Sequence, residues 1–263
     1  MRTLEKIKFN KVATILLLSL GISLLTTFFL SSHIKAATVE DRIEGFVNPK
    51  PKSERVVYLT FDDGPSKYSY ELMDLLDEYD VSAIFFVIGE NLDLFSESKQ
   101  ILNEMIERGH YIGLHSMTHN RSKLYYSQNA PQYFVNEMLT VKEKIAELTE
   151  GFESELCRAP YGARNHFKKG HYAAVDEVGL KCVDWNLDSL DWSKSSADQI
   201  YNQVVAQLKQ NNYPNEVVVL FHEKKLTLQV LPRVIEYFRS LGYEFAPYQE
   251  GQEFECCLHK DND

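Results

Sequence analysis

The residues best suited to chemistry in this sequence are two adjacent carboxylates, Asp62 and Asp63, and two histidines four residues apart, His115 and His119. Taken alone, an Asp-Gly pair is common in turns, and a histidine pair in a loop is more often solvated than bound to a metal. Two imidazoles with one carboxylate nevertheless form a ligand set that leaves coordination positions open. Open positions admit a water molecule and a substrate oxygen, as metal-assisted hydrolysis requires. The combination predicts a catalytic site for one divalent ion.

Both pairs follow segments that have the pattern of a buried strand. Residues 56–59 are β-branched, aromatic or aliphatic, and the turn residues at 64–66 end this segment. Residues 111–114 precede the histidines in the same way. Because successive side chains leave a strand on opposite sides, we expect Asp62 and Asp63 to do different jobs within one pocket.

Three further motifs end strand-like segments downstream. In RAPYG, residues 158–162, the Pro and Gly restrict the backbone so that the loop can approach a ligand, while Arg158 could hold a carboxylate bidentately. In DSLDW, residues 188–192, Trp192 offers a platform for a sugar ring. In LFH, residues 220–222, a nearby carboxylate would favour the charged form of the histidine and suit it to donate a proton. Each motif alone also has a structural explanation, as a surface arginine by a turn or a satisfied core histidine.

Strand and helix patterns alternate through the chain, which predicts a parallel sheet with right-handed crossovers. The predicted strands are 56–61, 82–88, 110–115, 155–158, 180–187, 216–222 and 243–247. The five motifs end five of these seven strands. Strands lie about 4.8 Å apart, so an open sheet would spread the motifs over roughly 20 Å or more. We therefore expect an α/β fold of about seven parallel strands closed into a barrel, which brings the motifs to one mouth.

The bulk composition is that of one large globular domain. A length of 263 residues allows a full core, and a formal charge of -10 with a pI near 5.3 argues against nucleic acid as a partner. Cys157 and Cys182 fall in separate strand-like segments and are expected as free buried thiols, whereas Cys256 and Cys257 are adjacent near the tail. We expect a monomer.

The first 37 residues have the order of an export signal. Four basic residues precede an uncharged run at 12–32, and small residues follow at 36–37. The run also reaches the ~20 residues that span a bilayer, so cleavage and retention as a membrane anchor both stay open. The basic end should remain in the cytoplasm, which places the rest outside. The expected organisation is signal or anchor 1–37, linker 38–54, catalytic domain 55–250 and tail 251–263.

In this order and spacing, TFDDGPS, HSMTH, RAPYG, DSLDW and LFH resemble the five motifs of the polysaccharide deacetylases, the NodB-homology group or carbohydrate esterase family four. The resemblance covers about residues 54–248. Within the family, the sequence looks most like the peptidoglycan N-acetylglucosamine deacetylases of Gram-positive bacteria. It implies a distorted, incomplete (β/α) barrel and a divalent metal, commonly zinc, with cobalt or manganese as alternatives. It also implies an acetylated polysaccharide as substrate and a location at the cell wall.

Carried over by position, the resemblance implies a role for each carboxylate and histidine at the first two motifs. Asp62 would be the general base, and Asp63, His115 and His119 would be the metal ligands. Arg158 would orient the base.

The remaining motifs complete the implied site. His222 would be the general acid, supported by Asp191, and Tyr161 would donate its backbone N–H to the oxyanion. Trp192 and Leu220 would line the pocket around the acetyl methyl group.

Two other classes of protein compete with this interpretation. A sugar-binding module would hold polymer without cutting it, but binding alone does not require a complete set of two Asp and three His. A metal-dependent phosphoesterase would need more cationic side chains near the metal than Arg158 alone. Within the deacetylases, chitooligosaccharide and acetylxylan remain alternative substrates to peptidoglycan.

Overall fold

The computed structural model of the protein describes residues 54–254. The expected export signal or anchor at 1–37, nearly all of the linker at 38–54, and Cys256 and Cys257 lie outside the described residues. Within residues 54–254, no helix combines the length and the apolar character needed to cross a bilayer.

A parallel sheet of eight strands forms the centre of the described part. Its strands are β1 Val56–Gly64, β2 Ala83–Val87, β3 Tyr111–Leu114, β4 Leu156–Cys157, β5 Lys181–Cys182, β6 Leu187–Asp188, β7 Glu216–His222 and β8 Glu244–Phe245. They follow the order β5-β4-β3-β2-β1-β7-β6, with β8 beside the start of β1. The long central strands β1 and β7 pair in register from Val56↔Glu216 to Asp62↔His222. This register brings the ends of two motif strands side by side.

Amphipathic helices connect the strands. They are α1 Ser69–Glu78, α2 Gly89–Leu94, α3 Ser98–Glu107, α4 Arg121–Tyr126, α5 Ala130–Leu148, α6 Lys169–Glu177, α7 Ala197–Gln210 and α8 Lys225–Ser240. Two of them begin at a side-chain cap, because Asn120 accepts from Lys123 N at α4 and Ser196 accepts from Gln199 N at α7. Each long helix buries one apolar face, so the sheet and the helices share one core.

Alternate residues of β1 belong to two different clusters. Val57, Leu59 and Phe61 pack with the helices in the main core. Tyr58 belongs instead to a second cluster on the other face of the sheet, together with Phe254. Phe254 is buried there although it lies in the expected tail. The same face continues along β1 to the polar side chains of Thr60 and Asp62, because strand side chains alternate. One end of the sheet interior is therefore filled by aromatic rings, and the other end carries the chemistry.

The predicted strand at 180–187 was wrong, because it is two short strands at opposite edges of the sheet. β5 pairs with β4, and β6 pairs with β7. The linking residues change partner midway: Val183 N donates to Cys157 O, and Asn186 N donates to Val218 O. An apolar run cannot reveal such a change of partner. The four residues 183–186 thus connect the two edges where strand pairing is interrupted, and the expected distorted, incomplete (β/α) barrel is confirmed.

The two described cysteines are neighbours across β4 and β5. Cys157 and Cys182 are paired in register, and both are buried free thiols. They therefore contribute packing to the edge of the sheet.

Gly113 in β3 is expected to tolerate no side chain. A Cβ there would lie 2.4 Å from Cδ1 of Phe86. The Phe86 ring also stacks on the guanidinium of Arg158, whose central carbon lies 4.1 Å from the ring centroid, so the ring cannot easily move away. Gly113→Ala should therefore destabilise the protein by about 1–3 kcal/mol in denaturant unfolding. Gly170→Ala in α6 is the control, since the nearest atom to its Cβ is the flexible ring carbon Cγ of Pro131 at 3.2 Å. Equal stability of the two variants would contradict this account.

Candidate active site

The five motifs meet at one cavity of about 490 Å³ at the carboxyl ends of the strands. Eight of the ten predicted site residues line it: Asp62, Asp63, His115, His119, Tyr161, Trp192, Leu220 and His222. The other two, Arg158 and Asp191, are buried directly behind them. Three further lining residues were not predicted: Asn165, Trp185 and Asp188. Asp188 and Trp185 lie in or beside the DSLDW motif, so the motif itself was a signal for them.

Asp62 and Asp63 do not point to opposite sides of the strand, contrary to the expectation from strand alternation. Asp63 has a φ of 68°, and the pairing of β1 with β2 shifts register between Asp62 and Gly64. This local distortion turns Asp63 back towards the cavity. As a result both carboxylates face His115, whose Nε2 lies 3.7 Å from Asp62 Oδ2 and 3.5 Å from Asp63 Oδ1.

Asp63, His115 and His119 fit a divalent ion. Asp63 Oδ1 lies 3.5 Å from Nε2 of each histidine. Ligands at about 2.1 Å from a tetrahedral zinc ion lie roughly 3.4 Å from one another, so these two distances match. Asp63 Oδ1 is also buried without a hydrogen-bond partner among the described residues, which is costly unless a cation satisfies it. The donor set is the two-His, one-Asp group that the sequence predicted.

The protonation states of these three residues suit ligation. His115 Nδ1 lies 2.9 Å from Arg158 O, so the ring donates from Nδ1 and leaves the Nε2 lone pair for the cavity. Burial, with the neighbouring His115, lowers the pKa of His119 to about 4, so His119 is neutral at neutral pH. Burial opposes ionisation of Asp63, but the surrounding imidazoles of His115, His222 and His119 outweigh it and hold the pKa of Asp63 well below its usual range.

Arg158 is fully buried and holds Asp62 through one nitrogen. Its Nη1 donates to Asp62 Oδ1 at 2.8 Å and to Thr60 Oγ1 at 2.6 Å. The bidentate contact considered from the sequence does not form, because Nε and Nη2 donate to the carbonyl oxygens of Val183 and Asp184. This arrangement leaves Asp62 Oδ2 directed towards the cavity side of His115.

His222 is paired with Asp191 at the end of β7. Its Nδ1 lies 2.7 Å from Asp191 Oδ1, while Asp191 Oδ2 accepts from His222 N at 2.7 Å and from Thr227 Oγ1 at 2.6 Å. Burial alone would lower the pKa of His222, but the hydrogen bond and charge of Asp191 outweigh it, so the pKa is raised. The other ring nitrogen, Nε2, lies 3.8 Å from Asp63 Oδ2. When the ring is protonated, it therefore presents its second N–H to the cavity.

Aromatic side chains form the rim of the cavity. Tyr161 is 48% exposed and Trp192 is 59% exposed, whereas Leu220 is buried. Tyr161 has a φ of 66°, and a Cβ on the following Gly162 would lie 3.1 Å from Trp185 Cη2. The loop therefore packs closely on Trp185 and needs glycine at 162.

The family model for polysaccharide deacetylases matches residues 49–183. The chain belongs to the polysaccharide deacetylase family. It is 32% identical over 274 residues to a peptidoglycan-N-acetylglucosamine deacetylase of Bacillus cereus, which covers 98% of this chain and 97% of the relative. It is also 32% identical over 202 residues to the putative polysaccharide deacetylase YheN of Bacillus subtilis, covering 75% of this chain and 68% of the relative. Among solved structures, the polysaccharide deacetylase Bc1974 from Bacillus cereus superimposes with a TM-score of 0.70 at 36% identity, covering 79% of this chain and 98% of that one.

The comparisons confirm the family expected from the five motifs. As a polysaccharide deacetylase the protein is a hydrolase of amide bonds.

The sequence did not reveal how the deacetylase holds its histidine loop. Glu137 of α5 is buried, and its carboxylate accepts from Met117 N at 3.1 Å, Thr118 N at 3.0 Å and Thr118 Oγ1 at 2.8 Å. The loop needs such support because Ser116 and His119 both have positive φ, at 62° and 53°. The available signal was a carboxylate on the apolar stripe of a helix, where a charge requires partners.

Two other buried carboxylates support loops of the deacetylase in the same way. Glu223 accepts from Ser66 N at 3.0 Å and from Ser69 Oγ at 2.5 Å, next to the end of β1. Burial raises the pKa of Glu223 to about 7. Asp184 accepts from Ala163 N at 2.9 Å and Arg164 N at 3.0 Å, in the loop that carries Tyr161.

Glu137→Gln is expected to weaken zinc binding by about tenfold or more, because the amide loses an acceptor for the loop that carries His115 and His119, the two expected ligands. Zinc affinity can be measured by competition with a chelating dye on the folded, metal-stripped protein. Glu143→Gln is the matched control, since Glu143 lies on the same helix but is exposed. An unchanged zinc affinity in folded Glu137→Gln would show that the loop keeps its shape without this carboxylate.

Proposed function

We propose that this deacetylase removes N-acetyl groups from N-acetylglucosamine residues of peptidoglycan with one divalent ion held by Asp63, His115 and His119. The observation that carries the proposal is the similarity to a Bacillus cereus peptidoglycan deacetylase along almost the full length of both chains. The convergence of two carboxylates and three histidines at one cavity supports it. Zinc suits the two-His, one-Asp donor set, and cobalt or manganese are alternatives.

When bound, the ion would polarise the acetyl carbonyl and lower the pKa of a water molecule. Asp62 acts as the general base that takes the proton from this water. Its Oδ1 is fixed by Arg158 Nη1, so that Oδ2 stays free on the cavity side. A general base must lie within reach of the proton that it removes, and Arg158 maintains that position.

His222 acts as the general acid that protonates the departing sugar amine. An amine leaves poorly as an anion, so proton donation from Nε2 at this step is needed. Asp191 holds the opposite ring nitrogen and keeps the imidazolium charged. The backbone N–H of Tyr161 donates to the oxyanion, while Trp192 and Leu220 line the site of the acetyl methyl.

The two rival classes fit the cavity less well. A phosphoesterase needs cationic side chains for phosphate, yet no Lys or Arg is among the described residues that line the cavity. Arg158 is already committed to four acceptors. A sugar-binding module would not need Asp62, His222 and the buried partners that orient them. A solved pseudoenzyme of Bacillus anthracis shares the fold at 20% identity, so the fold alone does not separate an enzyme from a non-catalytic protein.

Action on peptidoglycan places the enzyme outside the cytoplasmic membrane. Residues 1–37 would take it there, either as a cleaved signal or as an anchor. The acetylated glycan is then its partner at the cell wall.

Acetate release is expected from peptidoglycan at a higher kcat/KM than from acetylxylan, with chitooligosaccharide as the intermediate case.

Asp62→Asn should lose at least about a hundredfold in kcat while it still binds about one metal ion per chain, because Asp62 transfers a proton and is not a ligand. Asp198→Asn, at an exposed position, is the control. Wild-type turnover in metal-loaded Asp62→Asn would show that the roles of Asp62 and Asp63 are wrongly assigned. A preference for acetylxylan would contradict the proposed substrate.

Asp191→Asn is expected to move the alkaline limb of the kcat/KM profile to lower pH. Asp191 raises the pKa of His222, so the charged acid now persists to a higher pH than an unpaired histidine would. Without that carboxylate the pKa of His222 falls, and activity is lost earlier as pH rises. The variant should therefore differ from wild type more above neutral pH than below it. An alkaline limb at the wild-type position would remove Asp191 from this role.

A further inference from the structure

Arg121 lies just outside the cavity, between two exposed tyrosines. It is the first residue of α4, two residues beyond His119. Its guanidinium carbon lies 5.9 Å from the ring centroid of Tyr126 and 5.7 Å from that of Tyr161. Both distances are within the range of a cation–π contact. Tyr161 itself lines the cavity, so the guanidinium continues the cavity rim outward.

A hydrogen bond to His166 also restrains the Arg121 side chain. Arg121 Nε donates to His166 Nε2 at 3.1 Å, and His166 Nδ1 lies 3.0 Å from Gly162 O. The two contacts are consistent with one tautomer, in which Nδ1–H donates to the carbonyl and Nε2 accepts from arginine. Because Gly162 follows Tyr161, the same loop holds both sides of the arrangement. We call Arg121, Tyr126, Tyr161 and His166 the Arg121 ledge.

The terminal nitrogens of Arg121 have no acceptor within residues 54–254. No carboxylate of that part of the chain lies within ion-pair distance, and Nε makes the arginine's one side-chain hydrogen bond there. Arg108 and Arg233 differ, since each pairs with acidic side chains. An arginine that is held by stacking and by Nε presents its two terminal NH₂ groups as a preformed fork. Such a fork matches a carboxylate bidentately.

Because the rest of the protein is negatively charged, the Arg121 cation would favour binding of an anionic glycan at the cavity. The chain carries a formal charge of -10, and Asp62, Asp63 and Asp188 line the cavity. An anionic polymer approaching these carboxylates is repelled unless a cation at the rim offsets them. Peptidoglycan alternates N-acetylglucosamine with muramic acid residues, whose lactyl group ends in a carboxyl that is free or linked to a peptide. A neutral chitooligosaccharide has no such group.

We propose that the Arg121 ledge is a subsite for a carboxylate carried by the sugar next to the N-acetylglucosamine that is deacetylated. The subsite rests on the proposed function, because it takes its position from a glycan bound in the cavity. The sugar ring lies against the exposed faces of Tyr126 and Tyr161, and the carboxylate accepts from the terminal nitrogens of Arg121. The ledge thereby distinguishes a muramic-acid glycan from a neutral polymer with the same acetamido group.

The test compares three substrates of similar length: peptide-free peptidoglycan strands with free lactyl carboxylates, strands with intact stem peptides, and chitooligosaccharide. Acetate release is measured for the wild type, Arg121→Gln and Arg121→Lys. Arg233→Gln is the control, because Arg233 is also stacked on a tyrosine, Tyr201, but that tyrosine does not line the cavity, whereas Tyr161 does. Neither Arg121 nor Arg233 has a part in the proposed chemistry.

Arg121→Gln is expected to raise KM about fivefold on peptide-free strands, with kcat nearly unchanged and no change on chitooligosaccharide. Arg121→Lys should fall between, since it keeps the charge but loses the fork. The difference should shrink at high salt, as expected for an exposed charge pair. An effect confined to strands with intact peptides would place the carboxylate on the peptide and overturn its assignment to the neighbouring sugar.

Two further results would overturn the subsite. One is an unchanged KM on both kinds of peptidoglycan strand. The other is an equal loss on all three substrates, which would mean that the substitution merely disturbs the Tyr161 loop. In either case the wild type remains an active deacetylase, so the proposed function stands. A wild type that releases acetate from none of the glucosamine polymers would instead overturn the proposed function, and the subsite with it.

Discussion

Both the fold and the site depend on the hydrogen bonds of one fully buried guanidinium, that of Arg158. Removing an ionised arginine from water costs on the order of several kcal/mol unless it is paired and hydrogen-bonded. Arg158 meets this requirement with Asp62 and Thr60 of β1 and with the carbonyls of Val183 and Asp184. Those two carbonyls belong to the segment that joins the unpaired edges of the sheet. The interaction that closes the barrel is therefore the one that orients the proposed base.

A buried, hydrogen-bonded charge also supports three of the motif loops. Five non-glycine residues of these loops have a positive φ: Asp63, Ser116, His119, Tyr161 and Leu190. Such conformations persist only when the surroundings enforce them. Buried carboxylates supply that enforcement by accepting backbone N–H groups: Glu223 acts beside β1, Glu137 in the histidine loop and Asp184 in the Tyr161 loop. Each acid satisfies donors that a loop would otherwise bury without partners, so rigidity comes from hydrogen bonds as much as from apolar packing.

What the sequence could predict follows from the range of the interactions concerned. The apolar runs before Asp62 and His115 predicted strands, and the need for the motifs to meet predicted a curled sheet, because both arguments use local pattern and simple geometry. The two edges at 180–187 were missed because pairing partners are set at long range. The shared pocket of Asp62 and Asp63 was expected, but not that both leave the strand on one side, because one positive φ cancels strand alternation. Glu137 was missed because an isolated acid within a helix indicates partners without saying which ones.

The position of Asp191 follows from a conflict inside the site. A general acid must keep its proton next to a divalent ion, although a cation disfavours the imidazolium. His222 Nε2 lies 3.8 Å from Asp63 Oδ2, so an ion held by Asp63 would both repel the imidazolium and cancel the support that Asp63 gives it. A compensating carboxylate cannot share that side, where it would compete as a ligand. Asp191 instead contacts the opposite nitrogen, Nδ1, and is itself fixed by His222 N and Thr227 Oγ1. The proposed proton donor and the proposed metal ligands can therefore occupy one small cavity, because the negative charge that each needs comes from a different side.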